Sequence, residues 1–587
     1  MTDKVERYCL IEELSKLKES SKEAVENLTE FSEFKMYMHV PRKSQEELEK
    51  IIFRESKKDG ASLILVCGSV GDGKSHIISY LNNKYPSDMA KFKLHNDATE
   101  SYDPTKTSID TLNEELDEFS DDKLETSKRK LILAINLGTL SNFIDSQYGY
   151  RYSKLKKFVV DKKILETKIC CNKYDDENPF QFVNFGDYHL FTLKNGRVYS
   201  DYIKSLINKI TDPSELNNFF LSYETNCKPC KNRGCCPIKS NYELLSVEKV
   251  KEGIVDLLIQ CVIKNKIIIS TRALLNFLYE IIVSRSFIDA SSPNVKNKIA
   301  NINAKNYIKS LTFNILFNHK ELSFIFKSLN SLDPLNIRNS EVDEFIIEFI
   351  NADDVMEYFD KYLAYPQGYI DKIRNQELSK KEDEELRHEL LKLFIRSYNF
   401  CGVGNLFSLK DQLYEEYIKR LYDWNRGNKA ELKILYDSIK EAILKWNGES
   451  EKDSINIFLG KHQMKYKVSE RIELIADTKN LPEDDKVELD KFLITMNIRY
   501  RGDKLSEGKE IQLDYSLYEL LIKVKNGYRP NKKDKNQAIR FVEFINDIEQ
   551  SGSQYKELLF MEKNREKNRK YRLEYSEEFE QYRFMEM

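Results

Sequence analysis

Net charge is almost absent from this sequence: 93 lysines and arginines stand against 96 aspartates and glutamates, leaving −3 with histidine neutral. That balance excludes an obligate polycation and still permits a local basic face. Long apolar runs are also missing, with no stretch of about eighteen apolar residues. The first residues, MTDKVERYCL, carry no apolar signal core. The expectation is a cytoplasmic protein without a membrane partner. Cysteine is sparse, ten in 587 residues, which does not fit a secreted disulfide framework. Four of the ten fall between Cys227 and Cys236, the pattern of a thiol or metal arrangement.

Charged residues make up 32% of the chain and hydrophobic ones 41%, as in a soluble, largely helical protein too long for one core. One stretch organises the rest. The loop GSVGDGKS, Gly68 to Ser75, follows the apolar run LILV and precedes HIISYL. Its G-x-x-x-x-G-K-S spacing, between a strand and a helix, predicts a P-loop. Backbone N–H groups of such a loop and of the following helix's first turn make a concave surface for phosphates. Gly68, Ser69, Val70, Gly71, Asp72, Gly73, Lys74, Ser75 and His76 are the expected nucleotide-binding residues. Lys74 is placed for the outer phosphates and Ser75 for magnesium.

Before the loop, two helical runs fill residues 1 to 60, with Ser44 and Glu47 spaced as a capping box and Arg54 a cation near the phosphates or on a solvated face. After it, KFKLHNDATES, SIDTLNEELDEF and KLILAINLGTL read as strand, helix and strand, giving a βαβαβ unit and a parallel sheet. The strand LILAIN ends in Asn136, where many P-loop ATPases carry an acid that orders magnesium and water. Asn136 can hold a metal-bound water but cannot act as a base. Asp97 and Asp145 are the carboxylates available to substitute, with Asp97 preferred. FQFVNFGDY predicts a further strand offering Asn184 or Asp187 to the γ-phosphate or its attacking water.

CKPCKNRGCCP supplies Cys227, Cys230, Cys235 and Cys236 for zinc or an iron–sulfur cluster. Adjacent Cys235 and Cys236 point apart unless the backbone bends, and Cys170 or Cys171 can take one place. IIISTRALLNFLYEIIV puts Arg272 in the first turn of an amphipathic helix, where it either reaches nucleotide phosphates, as an arginine on a lid helix can, or pairs with a neighbouring carboxylate. From about residue 300 the chain reads almost entirely as helices, with LDPLNIR as a turn, until MNIRYRGD and IQLDYSLYELLIKVKNGYRPNKKDKN bring strand-like and helical runs together. There Lys523, Lys525, Arg529, Lys532, Lys533 and Lys535 surround Tyr528, either a solvated loop or a combination of charge and a stacking ring suited to nucleic acid. NREKNRKYRLEY is a second basic stretch, compatible with a frayed helix.

The ordered strings GSVGDGKS, HNDATES, INLGTLSNF, the cysteine knot, STRALLNFLYEIIV, LDPLNIR and GYRPNKKDK resemble the DptF component of DNA phosphorothioation-dependent restriction systems, over most of the chain. The resemblance implies a bacterial cytoplasmic defence protein. It would bind ATP and magnesium and act with partner restriction subunits on double-stranded DNA that lacks the phosphorothioate mark. No nuclease-like cluster of carboxylates with a lysine is evident, so cleavage is expected of a partner. The fold expected is an α/β P-loop domain with a parallel sheet and a Cys-rich insertion, followed by a mainly helical C-terminal region. Boundaries are set at 1–60, 61–300, 301–480 and 481–587. Lys74, Asp97, Asn136 and Arg272 are the expected catalytic set. The alternative is a nucleotide-stabilised, metal-stapled scaffold or DNA-binding subunit with little hydrolysis.

Overall fold

The computed structural model describes residues 9–587 except 19–31, 70, 96–106, 167–168, 170–173, 288–291, 375–379, 458–464, 480, 503–507, 552–556 and 563–568. The chain divides into two compact units, one of residues up to 192 with 199–410, the other of 193–198 with 411–587. The boundaries expected at 300 and 480 do not fall at this division. The reason lies in packing: helices Phe324–Asn330 and Lys380–Cys401 lie against helix Glu248–Asn265. Gly253 on that helix leaves room for Phe400, whose ring atom would stand 2.6 Å from a Cβ at that position.

The first unit is built on four parallel strands, β1 (Ser62–Cys67), β2 (Lys93–His95), β3 (Lys130–Ile135) and β4 (Phe180–Asn184), in the order β2-β3-β1-β4. Every residue of β1 is buried, as a strand covered on both faces requires. Its side chains alternate between two cores. Leu63, Leu65 and Cys67 meet Leu112, Leu116, Phe143 and Phe158 on one face; Ile64 and Val66 meet Leu48, Ile52, Ile77 and Ile78 on the other. The helices Lys43–Glu55 and Lys74–Lys84 therefore cover one face, and Ser108–Leu116 and Leu137–Ile144 the other. From β1 the chain goes to β2 and β3 on one side and reaches β4 on the other. In open parallel sheets such a reversal is where ligands bind, outside the carboxyl end of the strand at which it occurs, here β1.

The expected capping box at Ser44 and Glu47 is not formed. Helix Lys43–Glu55 already includes Ser44, which is buried, and its N-cap is Arg42, with no side-chain cap bond. The Glu47 carboxylate instead accepts from the Tyr188 hydroxyl. The turn LDPLNIR has a buried purpose. Asp333 takes two hydrogen bonds from Arg396, Nε at 3.1 Å and Nη2, while Arg396 Nη1 donates to Asn314 and Asn318.

The second unit begins with helices Gln412–Asn425 and Lys429–Lys445 and then turns to antiparallel strands. Five of them pair in the order Ser454–Ile457, Tyr466–Arg471, Glu557–Glu562, Lys570–Ser576, Gln581–Glu586. The basic stretch read as a frayed helix thus contains a strand. Tyr571, Leu573 and Tyr575 recur every second residue there, the period of a sheet. No helix among the described residues is long and apolar enough to cross a membrane.

Candidate functional site

The loop after β1 turns on glycine. Gly71 and Gly73 have φ of 92° and 83°, backbone that L side chains adopt only with strain. Gly73 is the N-cap of helix Lys74–Lys84 and hands the chain directly into its first turn, where backbone N–H groups lack helical partners. Close approach explains the first glycine: a Cβ at Gly68 would stand 2.7 Å from Asp72 Oδ2 and 3.1 Å from Phe185 Cβ. Asp72 braces the loop internally, its carboxylate accepting from the Ser69 amide. Burial pushes the Asp72 carboxyl up, against that hydrogen bond and the charges of Lys74 and Arg42.

Lys74 folds back over the loop, Nζ donating to the Gly68 carbonyl at 3.0 Å and the Ser69 carbonyl at 2.7 Å. Its ammonium therefore stands over the turn. Ser75, half-buried, follows it in the helix. Val70 lies outside the described residues. His76 is turned to a different neighbour: its Nε2 is 3.2 Å from His39 Nδ1, and His39 stacks on Tyr80. Burial, then the neighbouring imidazole, holds His39 down to about 3; burial, then Arg42, holds His76 down to about 4.

Arg42 is not among the sequence-derived candidates, and its guanidinium touches the loop. Its Nη1 donates to the Asp72 carbonyl at 3.1 Å, and its Nη2 to the Tyr202 hydroxyl at 2.8 Å and to Thr271 Oγ1 at 2.6 Å. The cation also stacks over the Tyr202 ring. Ser270 closes the other side, 3.4 Å from where a Gly71 Cβ would be, and its hydroxyl caps helix Thr271–Ile282. The STR string thus does reach the loop, through Ser270 and Thr271. Arg272 is exposed in the next position. Arg54 is twelve residues along the helix from Arg42, about 18 Å, and lies over the Tyr174 ring. The sole local hint of Arg42 is its place at a helix start after Pro41.

The flanking strands bring polar ends to the same place. Cys67 pairs with Ile135 on one side and with Asn184 on the other, so Asn136 and Asn184 flank the start of the loop. Asn136 is the N-cap of helix Leu137–Ile144, its Oδ1 accepting from the Thr139 amide at 2.7 Å. Asn184 Nδ2 donates to Asp187 Oδ1 at 2.8 Å, and both residues are buried. Asp187 is therefore a carboxylate at a strand end beside the loop. Asp145 is not: it is the C-cap of Leu137–Ile144 and pairs with Lys156, a helix length of about 12 Å from Asn136. Asp97 lies outside the described residues.

Of the cysteines, Cys227, Cys230 and Cys236 line one small cavity, while Cys235 turns away, its Sγ towards the carbonyls of Asn232 and Ile299. Cys170 and Cys171 lie outside the described residues. Among the described residues, no group of three or more His, Cys, Asp or Glu side chains is arranged to hold a metal ion. In the second unit, Lys523 is bonded to Glu519 and Lys525 to Ser438, leaving Arg529, Lys532 and Lys533 as exposed cations near Tyr528, whose hydroxyl donates to Asp534. Comparison with protein-family models, with curated proteins and with solved structures gives no match.

Proposed function

We propose that this chain is the ATP-binding component of a bacterial DNA phosphorothioation-dependent restriction system, acting with partner subunits on double-stranded DNA that lacks the mark. The observation that carries the nucleotide reading is the glycine loop itself. It joins the carboxyl end of a buried parallel strand to a helix N-terminus, with one lysine ammonium over the turn. Its glycines fit a phosphate chain, since a side chain at Gly68 would close the turn.

In this reading the amides of the turn and of the first helical turn bind the phosphates. Lys74 leaves the Gly68 and Ser69 carbonyls for the outer phosphates, and Ser75 holds magnesium. ATP supplies the phosphoryl group and the free energy of its cleavage. Asn136 and the Asn184–Asp187 pair are placed to orient water and metal at the strand ends, with Asp187 as the carboxylate of the set. Arg42 ties the loop to Thr271, so a change in the loop is felt at the start of helix Thr271–Ile282. The exposed cations around Tyr528 serve the DNA backbone. The restriction role rests on the likeness of the ordered strings to DptF.

A second reading, ATP bound with little hydrolysis as part of a scaffold, is favoured by Asn136, a neutral residue committed to a helix cap. Phosphate release by the purified chain, with and without magnesium and unmodified duplex DNA, separates the two. DNA-stimulated release that disappears in Asp187→Asn supports the ATPase; binding without release supports the scaffold. Loss of restriction of unmarked plasmid in cells carrying Lys74→Ala, with the partners intact, tests the system assignment.

A further inference from the structure

The cavity lined by Cys227, Cys230 and Cys236 has a fourth thiol that comes from the far end of the chain. Cys9, 218 residues before Cys227, lines the same space with Asn226, Lys239 and Lys296. We propose that Cys9, Cys227, Cys230 and Cys236 form a four-thiolate zinc site that staples the segment starting at Cys9 to the helices around Pro237–Leu245, and that Cys235 is not a ligand.

The fold already brings these segments together: helix Leu10–Leu14, which follows Cys9, packs against Tyr223–Cys227 and against helix Pro237–Leu245, whose N-cap is Cys236. Two cysteines at C-x-x-C spacing on a tight turn are the usual half of a tetrahedral thiolate site. Lys296, on the wall of the cavity, offsets part of the surplus negative charge that four thiolates leave on a divalent ion, while Lys239 is paired with Glu243.

Size selects the ion. The cavity is about 20 Å³, room for about one water-sized atom, which a single zinc suits and a multi-iron cluster does not. Cys9, Cys227, Cys230 and Cys236 line the space, and as they stand they are not arranged to hold an ion. The run from Lys228 to Cys235 is made of turns and contains Cys230, so it can move one ligand inward without breaking a helix. Metal binding to thiols releases their protons and contributes to folding.

The test is the metal content of the full chain, purified without added metal, followed by exchange into cobalt. One zinc per chain, and a cobalt spectrum with the charge-transfer intensity of four thiolates, is expected. Cys235→Ser should keep the metal, whereas Cys9→Ser and Cys236→Ser should lower zinc affinity on the order of 100-fold or more. Iron with sulfide in place of zinc, a chain that folds and takes up neither zinc nor cobalt, or a metal kept by Cys9→Ser and lost by Cys235→Ser would overturn the assignment. The cobalt intensity of the unsubstituted chain counts thiolates even where a variant fails to fold; an intensity of two or three would also overturn it.

Discussion

At the residue scale, the loop and what braces it differ in how far they can be read from sequence. Gly68, Gly73 and Lys74 are neighbours along the chain, so their spacing states their geometry. Arg42 and Cys9 reach their sites through the fold, and no local pattern marks either. A lid arginine is expected at Arg272; Arg42, from the start of another helix, bonds the Asp72 carbonyl of the loop, and Thr271 meets its guanidinium with a hydroxyl. Arg42→Ala removes three hydrogen bonds from a cation, and loss of about 2–3 kcal/mol is expected in denaturant unfolding. Arg54→Ala, at an exposed position, should stay within about 0.5 kcal/mol. Equal effects of the two substitutions would remove Arg42 from its bracing role.

The elements show where periodicity succeeds and where it stops. The strands β1, β3 and β4 are legible because buried, mostly apolar runs leave a plain signal; β2, three residues of which Lys93 is exposed, carries no such run, and the helices between the strands imply parallel pairing. The capping box failed because Ser44 is taken into the first helical turn and buried, a matter of packing against the sheet. LDPLNIR read as a turn, yet its Asp333 is one half of a buried pair with Arg396. Asp333→Ala leaves that guanidinium without its partner, and a loss of about 3–5 kcal/mol is expected, read as a lower unfolding midpoint. The paired imidazoles of His39 and His76 give the first unit a pH response. In the unfolded chain each takes its proton near 6.5, while in the fold they resist it down to about 3 and 4. Acidification from 6.5 towards 4 therefore favours the unfolded chain, and the stability present above 6.5 is lost through that window. His39→Gln should flatten the fall in thermal midpoint between pH 6.5 and 4; an unchanged slope would place the acid sensitivity elsewhere.

For the whole molecule, the proposed function assigns the nucleotide to the parallel sheet of the first unit and the DNA backbone to the exposed cations around Tyr528 in the second. That separation gives a direct expectation. Replacing Arg529, Lys532 and Lys533 together by glutamate should weaken duplex binding and lower the salt dependence of log affinity by about one unit for each phosphate no longer neutralised, with ATP affinity unchanged. A parallel loss of ATP affinity would mean that the two functions are not separable. The central claim is that the loop from Gly68 to Ser75 is a nucleotide site, and titration calorimetry with a non-hydrolysable ATP analogue and magnesium tests it most directly. The account predicts one site per chain, weakened at least about tenfold in Lys74→Ala, a loss of about 1.4 kcal/mol or more, with the unfolding midpoint close to that of the parent chain. Binding of equal strength in Lys74→Ala, or no binding by the parent chain, would contradict it.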